Sequence, residues 1–141
     1  MQHTKLYTGI KITVFLLALL LTGGGSVAQQ QLSVRELSNL ADSLYGAKNY
    51  PSATVNYLAV ASLSDFKTKK SGALYNAACC LSLQNKKDSA VLVLKSAIAA
   101  GYSNKKNLLA DSDLKNLHDE AAWPKIVRSV KPTERVLNDD P

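Results

Sequence analysis

Two observations mark this sequence as an all-α protein of stacked helical hairpins. The first is a pattern that returns after 37 positions: Ala41 and Ala78, Leu44 and Leu81, Ala53 and Ala90, Tyr57 and Leu94, and Val60 and Ala97. The second is the spacing of apolar residues at three and four through the middle of the chain, which gathers them on one face of each helix. A period of about 20 to 50 residues belongs to units too small to bury their own apolar faces, stacked so that neighbours share a core. Such arrays present an extended surface rather than one reaction centre, so the scaffold points to binding.

The chain opens with Lys5 and Lys11, an unbroken apolar run from Val14 to Leu21, Gly23 to Gly25, and then Ser26-Val27-Ala28. A positive region, a short apolar run and small residues three and one positions before a cut form an export signal, so residues 1–28 are expected to be removed and the mature chain to begin at Gln29. The alternative is an uncleaved anchor. A membrane span needs about 20 apolar residues, and the stretch from Ile12 to Leu21 is half that. No cysteine follows it to carry a lipid. The expectation is an exported protein, periplasmic or extracellular, with no stable membrane span after signal cleavage. It comprises one small domain over residues 29–131 and a polar, flexible tail over 132–141.

Within that domain Ser33 and Glu36 form a capping box. Val34, Leu37, Leu40, Ala41 and Leu44 follow at helical spacing. The pattern breaks from Gly46 to Asn49, and Pro51 opens a second helix that runs through Tyr57 and Val60 to about Leu63. A Lys-rich connection is expected from Ser64 to Ser71. A third helix is read from about Gly72 to Leu83, a turn from Asn85 to Lys87, and a fourth helix from Asp88 to Ala100, closed by Gly101. Beyond it Asp111 or Ser112 caps a short helix through Leu114 and Leu117, and a last one follows Trp123-Pro124. Leu108, Leu109, Leu114, Leu117, Trp123 and Ile126 are expected to cover the open end of the second hairpin, as terminal units of such arrays require.

Charge and reactive residues narrow the function classes. The sequence carries 17 Lys and Arg against 11 Asp and Glu. Loss of Lys5 and Lys11 leaves 15 against 11, too mild an excess to define an anionic partner. The clusters Lys67, Lys69, Lys70, then Lys86-Lys87 and Lys105-Lys106 lie in predicted connections without interleaved aromatics, so they read as solvated turns and no nucleic-acid partner is expected. Cys79 and Cys80, the only cysteines, are adjacent, too close for an ordinary disulfide, and read as small buried side chains. His118 is the only histidine after export and stands beside Asp119 and Glu120, short of the converging nitrogen or sulfur ligands of a zinc site. There is no nucleophile elbow, phosphate loop or H-E-x-x-H sequence. Neither catalysis, cofactor nor metal is therefore expected.

The two units resemble the tetratricopeptide repeat. Leu37, Leu40, Ala41 and Leu44 match the first helix of one unit, and Tyr50, Ala53, Tyr57 and Val60 its second; Leu74, Ala77, Ala78 and Leu81, then Ala90, Leu94 and Ala97 match the next. The stretches Tyr75-Asn76-Ala77-Ala78-Cys79-Cys80, Ala99-Ala100-Gly101-Tyr102-Ser103 and Asp111-Ser112-Asp113-Leu114 are similar to the terminal repeat of exported bacterial tetratricopeptide proteins. The resemblance implies a short α-solenoid of two hairpins with C-terminal capping helices. It also implies a concave face of first helices that grips a protein or peptide, here Arg35, Ser38, Asp42 and Tyr45 from one unit and Gly72, Tyr75, Cys79 and Ser82 from the next. One variant of the family clamps a terminal carboxylate with Lys and Asn side chains; Ser38 and Asp42 do not fit that clamp. The rival readings are a self-associating component of the cell envelope, since two units leave apolar ends, and an accessory module of an exported hydrolase.

Overall fold

The computed structural model describes residues 32–131, whose regular structure is all helical, with no strand among them. The signal expected over 1–28 and the tail expected over 132–141 lie outside the described residues. Four helices form two successive hairpins: α1 (Val34–Gly46) with α2 (Tyr50–Leu63), and α3 (Lys67–Leu83) with α4 (Lys87–Ala99). Short pieces follow, α5 (Lys105–Ala110), a 3-10 helix (Ser112–Leu117) and α6 (Trp123–Ser129). No described helix is long and apolar enough to cross a membrane.

Local chemistry sets most of the boundaries. The Ser33 hydroxyl accepts from the Glu36 amide at 3.2 Å, and the Glu36 carboxylate accepts from the Ser33 amide at 2.8 Å. This reciprocal cap satisfies two of the donors a helix start leaves free. Asn49 caps α2 through the Ser52 amide at 3.3 Å, with Pro51 in the first turn, where a missing N–H costs nothing. The two hairpin turns are built alike. Lys48 and Asn85 both have φ of 58°, and their amides donate to Tyr45 and Ser82 carbonyls three residues back. The next amides, Asn49 and Lys86, reach the Leu44 and Leu81 carbonyls five back. These are paired Schellman stops of the same kind, one sequence period of 37 positions apart.

Where helices cross, only alanine fits. Ala41, Ala53, Ala77, Ala78, Ala90 and Ala97 have no exposed surface, which lets the helix axes approach closely. Helix α3 is central: it packs on α2 along one flank and on α4 along the other. Its buried residues therefore surround it instead of forming one stripe.

Three expectations are corrected. The connection between hairpins is Ser64–Phe66, not Ser64 to Ser71, because Lys67 to Lys70 form an extra exposed turn of α3; Lys favours helix, and nothing apolar is needed on a turn that overhangs the core. Residues 105–110 form a helix that the sequence had not suggested, capped by Asn104 through the Asn107 amide at 3.0 Å. Within the C-terminal cover Leu108, Leu114, Leu117, Trp123 and Ile126 are buried as expected, whereas Leu109 is exposed. The cover forms one core cluster with Ala78, Leu81, Ala90, Leu94 and Ala97 of the second hairpin.

Candidate functional site

Tyr75 and Cys79 sit four residues apart on α3, hence one above the other on a single face. Tyr45, in the last turn of α1, lies beside them, and Asn76 follows Tyr75 on the adjoining flank. The wall opposite comes from the start of the 3-10 helix. Asp111 caps that helix by accepting from the Asp113 amide at 3.0 Å, and this extended cap residue (φ −73°, ψ 114°) turns both carboxylates toward α1 and α3. Between the two walls lies a cleft of about 330 Å³ lined by tyrosine, amide, thiol and carboxylate groups.

The polar groups are linked. The Tyr75 hydroxyl donates to Asp111 Oδ2 at 2.6 Å and accepts from the Asn107 amide at 3.0 Å. The same Asn107 amide donates to the Tyr102 hydroxyl at 3.1 Å, and the Tyr75 and Tyr102 rings stack at 4.2 Å, nearly parallel. The Tyr45 hydroxyl donates to Asp113, and Tyr57 donates to Asp42 Oδ1 at 2.7 Å. Burial, followed by the bond to Asp111, pushes the Tyr75 phenol far up; the bond to Asp113 and then burial do the same for Tyr45, and burial followed by Asp42 for Tyr57. All three phenols are neutral donors at physiological pH.

The Cys79 thiol lies 3.7 Å from Asp111 Oδ2 and is pushed up strongly by burial, then by the neighbouring charges of Asp111 and Asp113. A thiol kept protonated is a weak nucleophile and a weak metal ligand. Cys79 Sγ and the Asp111 and Asp113 oxygens do converge within 4.8 Å. Each carboxylate also accepts from one tyrosine hydroxyl, Asp111 from Tyr75 and Asp113 from Tyr45, and keeps further lone pairs facing the cleft, so together they form an acidic hydrogen-bonding wall. His118 lies elsewhere, its ring 4.4 Å from that of Trp123.

The residues named from sequence divide among four places. Tyr45, Tyr75 and Cys79 meet in the cleft just described. Ser38, Asp42 and Gly72 line an adjoining cleft of about 200 Å³, which shares Tyr57 and Asn76 with the first as walls. Ser82 has no exposed surface: its hydroxyl meets the Asp113 carbonyl at 2.5 Å, and the Asn116 amide donates to its carbonyl at 2.7 Å, so the chain's own C-terminal segment covers it. Arg35 faces a separate groove beside Leu63 and Phe66. Sequence reasoning placed Asp111 as a cap but missed Asp111, Asp113 and Asn107 as the far wall. The available signal was a pair of carboxylates two residues apart, Asp111 and Asp113, shortly after the Leu108-Leu109 pair. The chain matches no protein-family model, no curated protein and no solved structure.

Proposed function

We propose that this protein is an exported, tetratricopeptide-like module that binds an extended peptide or protein segment, without catalysis of its own, in the groove formed by the two adjoining clefts. The observation that carries this reading is that the two clefts adjoin, sharing Tyr57 and Asn76 as walls, with carboxylates Asp42, Asp111 and Asp113 and the ammonium of Lys69 among their linings. Aromatic rings and side-chain amides suit an extended chain, since they offer contact area and hydrogen bonds at little entropic cost. None of the three carboxylates forms an ion pair among the described residues, where the one such pair is Lys87 with Glu120. Lys69 borders the end of the groove near Asp42, so the end walled by Asp111 and Asp113 is the one that favours a Lys or Arg of the segment.

A panel of fluorescent hexapeptides identical but for a central Lys, Glu or Ala tests the reading. The Lys peptides bind best, more weakly at high salt. Tyr45→Ala and Asp113→Asn each reduce that binding about tenfold while the helical signal persists. Equal affinity for the three classes, or binding unchanged in both variants, overturns it. Tyr75 is a poor choice for this test because its ring is buried against Tyr102.

A further inference from the structure

Away from the concave clefts, α4 and α6 leave an apolar groove of about 340 Å³ between them. Ile98 and Ala99 of α4 and Ile126 of α6 line it, with Lys95 on one helix, Lys125 on the other and Ser129 where α6 ends. Helix α6 also carries Arg128, Lys131 follows it, and neither α6 nor the lining of the groove contains an acidic residue. Lys95 and Lys125 form no ion pair among the described residues, and Glu120, the acid just before α6, is held by Lys87 at 2.8 Å. An apolar floor between two ammonium groups without a counter-charge suits a segment that carries an aliphatic side chain flanked by carboxylates.

The chain itself supplies such a segment. Val130 is 3% exposed and pins the end of α6 to the core, so the residues after it leave from the end of the groove that Ser129 marks. Pro132 keeps α6 from continuing. In an extended chain alternate residues share a face, which groups Glu134, Val136, Asn138 and Asp140. That face has a carboxylate at each end, an aliphatic side chain between them and no cation; Arg135, the one basic residue of 132–141, falls on the other face. Reach is ample, because running back along the seven residues of α6 covers about 10 Å, which three or four extended residues span. A tethered segment also meets its site at an effective concentration of about millimolar, an advantage that an acidic partner in free solution lacks.

We infer that the groove between α4 and α6 is the docking site of the chain's own segment 132–141, with Val136 against Ile98 and Ala99, and Glu134 and Asp140 paired with the ammonium groups of Lys95 and Lys125. Docked there, the segment ties α6 to α4, two helices whose buried faces share one cluster with the rest of the C-terminal cover.

A nitroxide attached at Asn138→Cys in the full chain, read by NMR through the broadening of nearby amides, tests this; Cys79 and Cys80 are buried and stay unlabelled. The amides of Lys95, Ile98, Ala99 and Lys125 should lose more than about half of their intensity while those of α1 and α2 keep theirs. Lys95→Glu/Lys125→Glu and Val136→Asp should each restore most of the lost intensity, whereas Arg135→Ala should leave the broadening as it was. Lys95 and Lys125 are exposed, so the charge reversal keeps the wild-type helical signal. Absence of selective broadening along the groove overturns the inference, as does broadening that survives both the charge reversal and Val136→Asp. Broadening passed from a labelled chain to an unlabelled, isotope-enriched one overturns it too, since the segment then docks on a second copy.

Discussion

Cys79 and Cys80 are neighbours in sequence yet belong to different cores. A step of one residue turns a side chain by about 100° around a helix, and α3 is packed on both flanks, so Cys79 joins the cluster with Leu94 and Trp123 while Cys80 joins that of Ala41, Ala53 and Tyr57. Burial raises both thiols, Cys80 from 9.0 to about 11 and Cys79 further. In the unfolded chain both lose their protons near 9; the folded chain holds them past that point and binds more protons. The stability they contribute is therefore complete below pH 9 and is lost as pH rises through 11 for Cys80, at about 1.4 kcal/mol per pH unit for each thiol across its window. The raised phenols of Tyr45, Tyr57 and Tyr75 act in the same direction above 10. Guanidinium midpoints should hold steady from pH 7 to 8.5 and fall steeply towards pH 10.5, with iodoacetamide labelling of the thiols following unfolding. A midpoint level across that range, or rapid labelling of the folded protein, would contradict the burial of these groups.

At the scale of elements, the stops between helices set the period. Lys48 and Asn85 both adopt the left-handed conformation, which costs an ordinary side chain about 1 kcal/mol and an Asn less. Lys48→Gly should therefore stabilise the protein by about 0.5 to 1 kcal/mol and Asn85→Gly by less, read as a rise in Tm. Gly101→Ala should destabilise by about 1 kcal/mol or more, since φ of 107° is hostile to any Cβ even though open space surrounds the position. If Lys48→Gly lowers Tm, the entropy it adds to the unfolded chain outweighs the strain it removes. These turns show why the four long helices were legible in sequence: Ser33, Asn49, Pro51 and Gly101 are local signals, and the alanines recur with the period. Lys67 to Lys70 were not legible, because a turn without an apolar stripe has no period to read. Helix α5 was missed because six residues are under two turns. The site was half legible. Tyr75 and Cys79 are related by helical spacing alone, whereas Tyr45 and Tyr75 meet Asp113 and Asp111 across 68 and 36 positions, joined by a reversal that local patterns cannot orient.

For the molecule as a whole, two hairpins are fewer than the roughly three units at which such arrays become stable alone. The C-terminal pieces make up the deficit. Leu108, Leu114, Leu117 and Ile126 are buried to within 1% of complete, and burying each such side chain contributes about 1.5 to 3 kcal/mol, which is large against a total stability of about 5 to 15. They share one cluster with the second hairpin, so the cover and the hairpin should fold together. This also holds the far wall of the groove in place: Asp111 and Asp113 are flanked by Leu108 and Leu114, and moving them away from Tyr75 and Tyr45 means opening the core. The single tryptophan, Trp123, lies in that cover, so its fluorescence reports on the C-terminal pieces while far-ultraviolet circular dichroism is dominated by α1 to α4. The two signals should give one coincident denaturant transition. Leu114→Ala should lower its midpoint by an amount equivalent to about 2 to 5 kcal/mol in both signals together. A tryptophan transition that precedes the loss of helix would mean that the cover releases on its own and that the wall of the groove can open without unfolding the repeats.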